Sequence, residues 1–301
     1  MAFSKFLDPK NDFLFRRLFG TEKNKDILIY FINSILHLVG EDAVQDVTYL
    51  KTTQDPEIAY KKQSIVDVLC RDQKGTKFII EMQIAKTPGF EERAQFYAAK
   101  AYINQMNVGG KYQELKEVIF IAITDYVMFP NKSTWKSDHV TLDRKTYEQD
   151  LKAFSFTFIE LPKFIKTIEQ LETVEDKWTY FFKHAHETTE QEFNTFIGND
   201  IVLRKAFDES TKYSMTEEEW NSYEAALKHE WDARAIEEQK LMDAEEKGLK
   251  KGLEKGLEKG ISEGEKAAKI QIARNLKSMN LSTEQIKAAT DLTEEEILEI
   301  E

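Results

Sequence analysis

The hydrophobic residues of the first 161 positions recur with two different periods, which predict both helices and strands. Helical spacing covers residues 8–20, where Gly20 marks an end, and residues 26–39, which are apolar on nearly all sides. A third helix is predicted at residues 89–107. Short apolar or alternating runs predict strands at residues 44–51, 64–70, 77–85, 117–124 and 153–161. This order of elements predicts a mixed α/β core within residues 1–161.

After Pro162 the chain shows almost only helical patterns, and acidic residues outnumber basic ones. A change of pattern near residue 246, where a short repeat begins, separates a further segment. We therefore predict four parts: the α/β core (1–161), an acidic helical region (162–245), a Gly-Leu repeat helix (246–264) and a small helical cap (265–301).

The repeat helix has a glycine every four residues, each followed by leucine or isoleucine except the last, in the sequence EKGLKKGLEKGLEKGISEG. On a helix with 3.6 residues per turn this row shifts by about 40° per repeat, so the apolar stripe winds around the helix. Each glycine costs about 1 kcal/mol relative to alanine. We therefore expect this helix to need a partner surface or to be partly frayed. In residues 270–301 we expect two short helices around Asn280, with caps at Ser282 and at the pair Thr293 and Glu296.

Composition limits the class of protein. Hydrophobic residues make up 41% of the chain, which is enough for a packed core. No apolar run approaches the roughly 18 residues that a membrane helix needs, and the first ten residues carry charges where a signal peptide would be apolar. The single cysteine, Cys70, excludes an internal disulfide and a thiolate zinc site. We expect a cytoplasmic protein with no membrane partner.

The net charge of −12 is unevenly distributed along the chain. Residues 1–150 hold 21 basic and 21 acidic residues, whereas residues 151–301 hold 21 basic and 33 acidic residues. Because an acidic surface repels phosphate, any contact with nucleic acid must come from a local basic patch in the first half.

Two neighbouring strand candidates carry acidic residues among apolar ones. Asp67 interrupts the apolar segment SIVDVLC, and Glu81 and Gln83 share one face of KFIIEMQIA. The intervening DQKGT suits a hairpin loop in which Gly75 adopts the left-handed conformation. That loop pairs Asp72 with Thr76 and, five residues further, Asp67 with Glu81.

Two carboxylates held side by side in apolar strands require a cation or a shared proton. Mg²⁺, which prefers oxygen ligands, is the simplest occupant. An equal alternative is a half-solvated hairpin whose polar face happens to carry Asp67, Glu81 and Gln83. A register slip of one residue would place the two acids on opposite faces of the sheet.

The helix that follows the hairpin carries a candidate DNA-binding face. Arg93, Tyr97 and Lys100 are spaced four and three residues apart, which places them on one side of the helix. Two cations around a ring can hold a phosphate backbone. A solvated helix face explains the same pattern equally well. Arg16 and Arg17 form another basic pair with the same two interpretations.

Three segments and the tail together resemble a known family. The segments NDFLFRRLFG, KKQSIVDVLCRDQKGTKFIIEMQ and FEERAQFYAAKAYINQM, followed by a glycine repeat, resemble the Rpn family of recombination-promoting nucleases, transposase-like members of the PD-(D/E)XK superfamily. The resemblance covers the first 125 residues closely and the tail in style. It implies a restriction-endonuclease-like α/β core, with a mixed sheet flanked by helices, followed by an α-helical C-terminal region.

The resemblance also implies roles for individual residues. Asp67 and Glu81 match the two metal-binding acids, and the main-chain carbonyl of Met82 is an expected further ligand. Gln83 stands where the superfamily usually has a lysine and would orient the attacking water. Asp12 matches an accessory acid of the N-terminal motif. The implied activity is a DNA endonuclease that hydrolyses phosphodiester bonds with Mg²⁺, or with Mn²⁺ or Ca²⁺ in its place.

Two alternatives to a nuclease stay open. The nuclease fold could be catalytically inactive and serve as a DNA-binding or protein-interaction module, because a glutamine cannot supply the charge of a lysine. The Gly-Leu tail could instead be the main functional element, as an oligomerisation arm. For the nuclease we expect double-stranded DNA as the partner, self-association through the helical C-terminal region, and a role in recombination, mobile elements or defence.

Overall fold

The computed structural model of the chain describes residues 4–54, 64–106 and 110–300. The strands, in chain order, are β1 (Val47–Tyr49), β2 (Thr53–Gln54), β3 (Ser64–Ile65), β4 (Val68–Asp72), β5 (Lys77–Gln83), β6 (Val118–Thr124), β7 (Lys136–Val140) and β8 (Phe154–Glu160). The α-helices are α1 (Asp12–Phe19), α2 (Lys25–Ile35), α3 (Phe90–Ile103), α4 (Val174–His184), α5 (Glu190–Ile197), α6 (Ile201–Glu209), α7 (Glu217–Ser278), α8 (Thr283–Thr290) and α9 (Glu294–Leu298).

Within these residues, one mixed sheet of six strands forms the centre of the fold, in the order β1-β4-β5-β6-β8-β7. The pairs β5/β6 and β6/β8 are parallel, and the pairs β1/β4, β4/β5 and β7/β8 are antiparallel. Strands β2 and β3 pair separately. Every residue of β6 is buried, as expected for the middle of a sheet covered on both faces. The predicted α/β fold class, a mixed sheet flanked by helices with a helical C-terminal region, is confirmed.

Each face of the sheet is covered by a different set of helices. The larger core contains buried residues of α1, α2, α4, α5 and α6, and many of them are aromatic, including Phe19, Phe31 and Trp178. The opposite face packs against α3 through Phe90 and three alanines. Because alternate residues of a strand point to opposite faces, Ile79 lies in the α3 core while Phe78 and Ile80 lie in the larger core.

The chain divides into two compact units, residues 1–228 and residues 229–301. In the second unit, Ala273, Ile286, Leu292, Ile297 and Ile300 form a small core. The predicted caps of α8 at Ser282 and of α9 at Thr293 and Glu296 are confirmed. The Gly-Leu repeat lies wholly within α7. The four predicted parts of the chain remain a prediction.

Several predicted elements differ from the structure, each for a physical reason. The helix predicted to reach residue 39 ends at Ile35, because His37 adopts a left-handed conformation and the N–H of Leu38 bonds to the carbonyl of Asn33. The cap was predicted to have a helix on each side of Asn280, but α7 extends to Ser278, so both short helices follow that residue. Strand β7 was not predicted, because its sequence, KSDHV, is mostly polar, as an edge strand allows.

Candidate active site

The hairpin between β4 and β5 has the register that the sequence predicted. Val68 pairs with Ile80, and the N–H of Asp72 donates to the carbonyl of Thr76 at 2.9 Å. Gly75 has a φ of +89°, the left-handed conformation that its loop position requires. The Asp72 carboxylate accepts from the N–H groups of Lys74 and Thr76, which holds the loop closed.

The predicted strand of residues 64–70 is wrong in one respect, because it consists of two strands that belong to different sheets and are separated by residues 66–67. Strand β3 ends at Ile65, and β4 starts only at Val68. The sequence predicted that Asp67 pairs with Glu81 across the hairpin, and this main-chain pairing does not form. Instead its Oδ2 accepts a hydrogen bond from the N–H of Met82 at 3.0 Å. This bend brings the Asp67 carboxylate to the main chain of β5, next to Glu81.

Glu81 is a buried carboxylate with an incomplete set of partners. Its side chain lies on the α3 face of β5, and the residue is 3% exposed. Its Oε2 accepts from Nε2 of Gln83 at 3.0 Å, whereas its buried Oε1 has no hydrogen-bond partner within the described residues. Burial, and then the negative charge of Asp67, raise the pKa of Glu81, while the charge of Arg93 opposes this shift. Such an oxygen is a strong candidate to bind a cation.

Asp67 has a similar environment, although it has a cationic neighbour. Burial raises the pKa of Asp67, and the Met82 N–H and Arg16 oppose this shift. Nη2 of Arg16 lies 3.1 Å from Oδ1 of Asp67 and 3.1 Å from Oδ1 of Asp12. Arg16 therefore connects the predicted accessory acid to the predicted metal ligand. The sequence showed Arg16 only as half of a basic pair, although its i, i+4 spacing from Asp12 was a usable clue.

The other arginine of that pair has a structural role. Arg17 is 6% exposed, and its guanidinium contacts the carboxylates of Glu209 and Glu219 and the carbonyls of Glu209 and Ser214. These contacts join α1 to the region from the end of α6 to the start of α7. Arg17 therefore stabilises the first unit and is not available to bind DNA.

Helix α3 brings a cation to the two acids. Nη2 of Arg93 donates to Oε1 of Gln83 at 2.7 Å, and the guanidinium lies 4.9 Å from the centre of the Phe90 ring. Arg93 is therefore part of the site rather than of a solvated helix face. Tyr97 follows Arg93 by about one turn on the same side of α3. Burial raises the pKa of Tyr97, the charge of Arg93 lowers it, and the charges of Glu81 and Asp67 raise it. Lys100 lies further along α3 and is partly buried.

These groups suit a small divalent cation. Asp67 and Glu81 offer hard carboxylate oxygens, one of which has no hydrogen-bond partner within the described residues. Within residues 4–54, 64–106 and 110–300, no group of three or more His, Cys, Asp or Glu residues could hold a metal ion. Mg²⁺ commonly binds through one or two carboxylates and keeps several waters. A pair of carboxylates therefore fits that ion.

Comparison with known proteins identifies the fold family. A family model described as PD-(D/E)XK nuclease family transposase matches residues 9–240, which contain all the candidate site residues named above. The searches of curated proteins and of solved structures found no match. Among the described residues, no helix is both long enough and apolar enough to span a membrane.

Proposed function

This chain belongs to the PD-(D/E)XK nuclease family transposases, and on that premise we propose that it is a metal-dependent DNA endonuclease. Membership of the family supports a nuclease-like function and implies DNA as the substrate. The observation that carries the proposal is the buried Oε1 of Glu81, which lacks a partner within the described residues and belongs to the carboxylate next to Asp67.

The metal ligands in this proposal are the carboxylates of Asp67 and Glu81 and the main-chain carbonyl of Met82. Mg²⁺ is the expected ion, and Mn²⁺ or Ca²⁺ are alternatives. A divalent ion bound there would polarise the phosphodiester and lower the pKa of a bound water. The hydrogen bond from the Met82 N–H to Asp67 holds one of these carboxylates in place before any ion binds.

Gln83 and Arg93 act as a pair in this proposal. Gln83 donates to Glu81 and accepts from Arg93, so its amide orientation is fixed from both sides. A fixed amide can orient the attacking water, and the adjacent guanidinium supplies the positive charge that glutamine lacks. Tyr97 and Lys100 extend this side of α3 toward the DNA backbone. Asp12 acts indirectly, because Arg16 connects it to Asp67.

A catalytically inactive DNA-binding or protein-interaction module is the second candidate. It is favoured by the ion pair between Arg16 and Oδ1 of Asp67, which satisfies one carboxylate oxygen without a metal. Such a module would bind DNA with the same affinity whether Asp67 or Glu81 is intact or replaced by its amide.

Nicking of supercoiled plasmid tests the proposal. Wild-type protein is expected to nick with Mg²⁺ and not with EDTA, and Asp67→Asn and Glu81→Gln should each lose the activity. Glu41→Gln, which neutralises an exposed carboxylate of the same unit, is the matched control and should nick like the wild type. Nicking in EDTA, or by Asp67→Asn, would refute the metal site. DNA binding without nicking under Mg²⁺, Mn²⁺ and Ca²⁺ would favour the inactive module.

Finer features of the proposal concern partners and biological role. Double-stranded DNA is the proposed substrate, and recombination, mobile-element or defence biology is the proposed setting. Self-association through the helical C-terminal region is supported by a row of exposed side chains along the repeat, namely Leu249, Leu253, Leu257 and Ile261. Among the described residues, and apart from the backbone of α7 itself, no atom lies within 4 Å of a Cβ added at the repeat glycines, so a second helix could approach this surface closely.

A further inference from the structure

A cavity on the α3 side of the sheet is lined mainly by aromatic rings. Its volume is about 250 Å³. The rings contact one another, since the centroid of Phe129 lies 5.3 Å from that of Phe158 and 5.1 Å from that of His139. Phe156 adds a further ring, and Glu91 and Gln95 of α3 complete the lining. We refer to these six residues as the aromatic pocket.

The aromatic pocket lies on the same face of the sheet as the candidate active site. Glu81 pairs with Ala122, and Ala122 pairs with Phe158, so the three residues form one row across β5, β6 and β8. Strands are spaced about 4.8 Å apart, which places β8 about 10 Å from β5. Helix α3 contributes to both places, because it carries Arg93 as well as Glu91 and Gln95.

The position of Phe129 is fixed by a buried polar network. The Glu160 carboxylate accepts from the N–H groups of Met128 and Phe129 and lies 2.7 Å from Nζ of Lys163. Nζ of Lys163 also donates to the carbonyl of Phe129 at 2.7 Å. The main chain on both sides of Phe129 is therefore held in place. The ring is only partly buried, so it is presented to the pocket in a preorganised position.

A cation lies beside the aromatic pocket, and the pocket itself carries hydrogen-bond acceptors. Nζ of the exposed Lys132 lies 5.0 Å from the centre of the Phe129 ring and 3.2 Å from Nε2 of His139. On the α3 side, Nε2 of Gln95 donates to the main-chain carbonyl of Glu91. Within the part of the chain that the structure describes, this bond leaves Oε1 of Gln95, together with the Glu91 carboxylate, available to accept hydrogen bonds.

A buried, unpaired hydroxyl group belongs to the core on the α3 side of the sheet. The Tyr126 hydroxyl is buried and makes no hydrogen bond within the described residues. Burial, and then the charge of Glu91, raise its pKa to about 12, while the charge of Arg93 opposes this shift. A buried donor without a partner at this position indicates that a polar ligand completes the region.

We propose that the aromatic pocket binds a single unpaired base of a DNA strand that passes along α3 to the candidate active site. This inference rests on the proposed nuclease function. Aromatic side chains bind single-stranded nucleic acid by stacking on its bases, and Lys132 is placed to contact the adjoining phosphate. Because Glu91 and Gln95 offer acceptors, the pocket favours cytosine and other bases with an exocyclic amino group over thymine.

Binding of short single-stranded DNA in EDTA tests this proposal without any requirement for cleavage. The probes are two fluorescent oligonucleotides: one has abasic sites throughout, and the other has a single central cytosine among the same abasic sites. The wild type is expected to bind the cytosine probe at least about fivefold more tightly, as measured by fluorescence anisotropy. A third probe, with thymine in place of cytosine, should bind more weakly than the cytosine probe.

Variants locate the effect in the pocket. Phe129→Leu and, on the edge strand, His139→Leu each remove one ring and should each lose most of the preference for cytosine. Phe96→Leu, which removes an exposed ring elsewhere on α3, is the matched control and should keep it. Equal binding of the cytosine and abasic probes by the wild type would overturn the proposal, as would an unchanged preference in both pocket variants. Failure of the nuclease proposal would appear separately, as absent plasmid nicking.

Discussion

Replacing Glu81 with glutamine is expected to stabilise the folded protein at neutral pH while it removes the proposed metal site. Burial, and then the charge of Asp67, raise the pKa of Glu81 from 4.5 to about 8. Between these two values the folded protein keeps a proton that the unfolded chain has released. Because the unfolded state then binds fewer protons than the folded state, the stability of the wild type falls as the pH rises through this window. Glutamine has no proton to lose.

The size of the effect depends on how far the solution pH lies above the ordinary pKa of a glutamate side chain. At pH 7 this difference corresponds to about 3 kcal/mol in the free energy of unfolding, since one pKa unit is worth about 1.4 kcal/mol. For a unit of roughly 200 residues, 1 kcal/mol changes Tm by about 2–4 °C. Glu81→Gln is therefore expected to melt about 6–12 °C above the wild type near pH 7. Near pH 5 the two proteins should melt within a few degrees of each other.

Thermal unfolding in EDTA, followed by circular dichroism between pH 5 and pH 7, measures this difference. Glu41→Gln, which changes an exposed carboxylate, should follow the wild type across the range. Mg²⁺ added at pH 7 should raise the Tm of the wild type but not that of Glu81→Gln, because the ion binds only the ionised carboxylate of the folded protein. If the Tm of the wild type and of Glu81→Gln changes with pH in parallel, Glu81 is not the buried, uncompensated acid that the structure describes.

Three further predictions concern other parts of the chain. Arg17→Met removes the cation from a buried ion-pair network and should lower the free energy of unfolding by about 3–5 kcal/mol. Thermal unfolding would show this loss as a fall in Tm of roughly 10 °C. Arg144→Met, at an exposed position, should change the free energy of unfolding little. Cys70 is buried, and burial raises its pKa to about 12. A thiol reagent at pH 8 should therefore label Cys70 only when the protein unfolds. Rapid labelling of the folded protein would contradict this burial. Leu253→Glu combined with Leu257→Glu should reduce the mass measured by light scattering if the repeat mediates self-association, and an unchanged oligomer would exclude that surface.

Sequence patterns were most informative where local chemistry decides the structure. Glycine in a five-residue loop predicted the hairpin, and the register followed, because Gly75 adopts the left-handed conformation and Asp72 caps the loop through its own side chain. The periodicity of α3 placed Arg93 and Tyr97 on one side of the helix, and the structure brings Arg93 of that side to Gln83. The spacing alone could not distinguish that position from a solvated face.

Sequence patterns were least informative where contacts with a distant segment accompany a change in the path of the main chain. The bend at Asp67 interrupts an apolar run whose pattern predicts a single strand. At this bend the Asp67 side chain accepts a hydrogen bond from the main chain of β5. The edge strand β7 lacks an apolar pattern and is identified only by its pairing with β8.

The sequence by itself determined the α/β class and the hairpin register, because these depend on periodicity and on neighbours a few residues away. Only the tertiary structure decided which cations accompany the acids. Arg16 contacts Asp67 across 51 positions of the chain, and Arg93 reaches Gln83 only because α3 packs on that face of the sheet. It also decided that three phenylalanine rings and a histidine meet in one cavity. Contacts between distant residues depend on how helices and strands pack, and packing is set by the whole core rather than by any one segment.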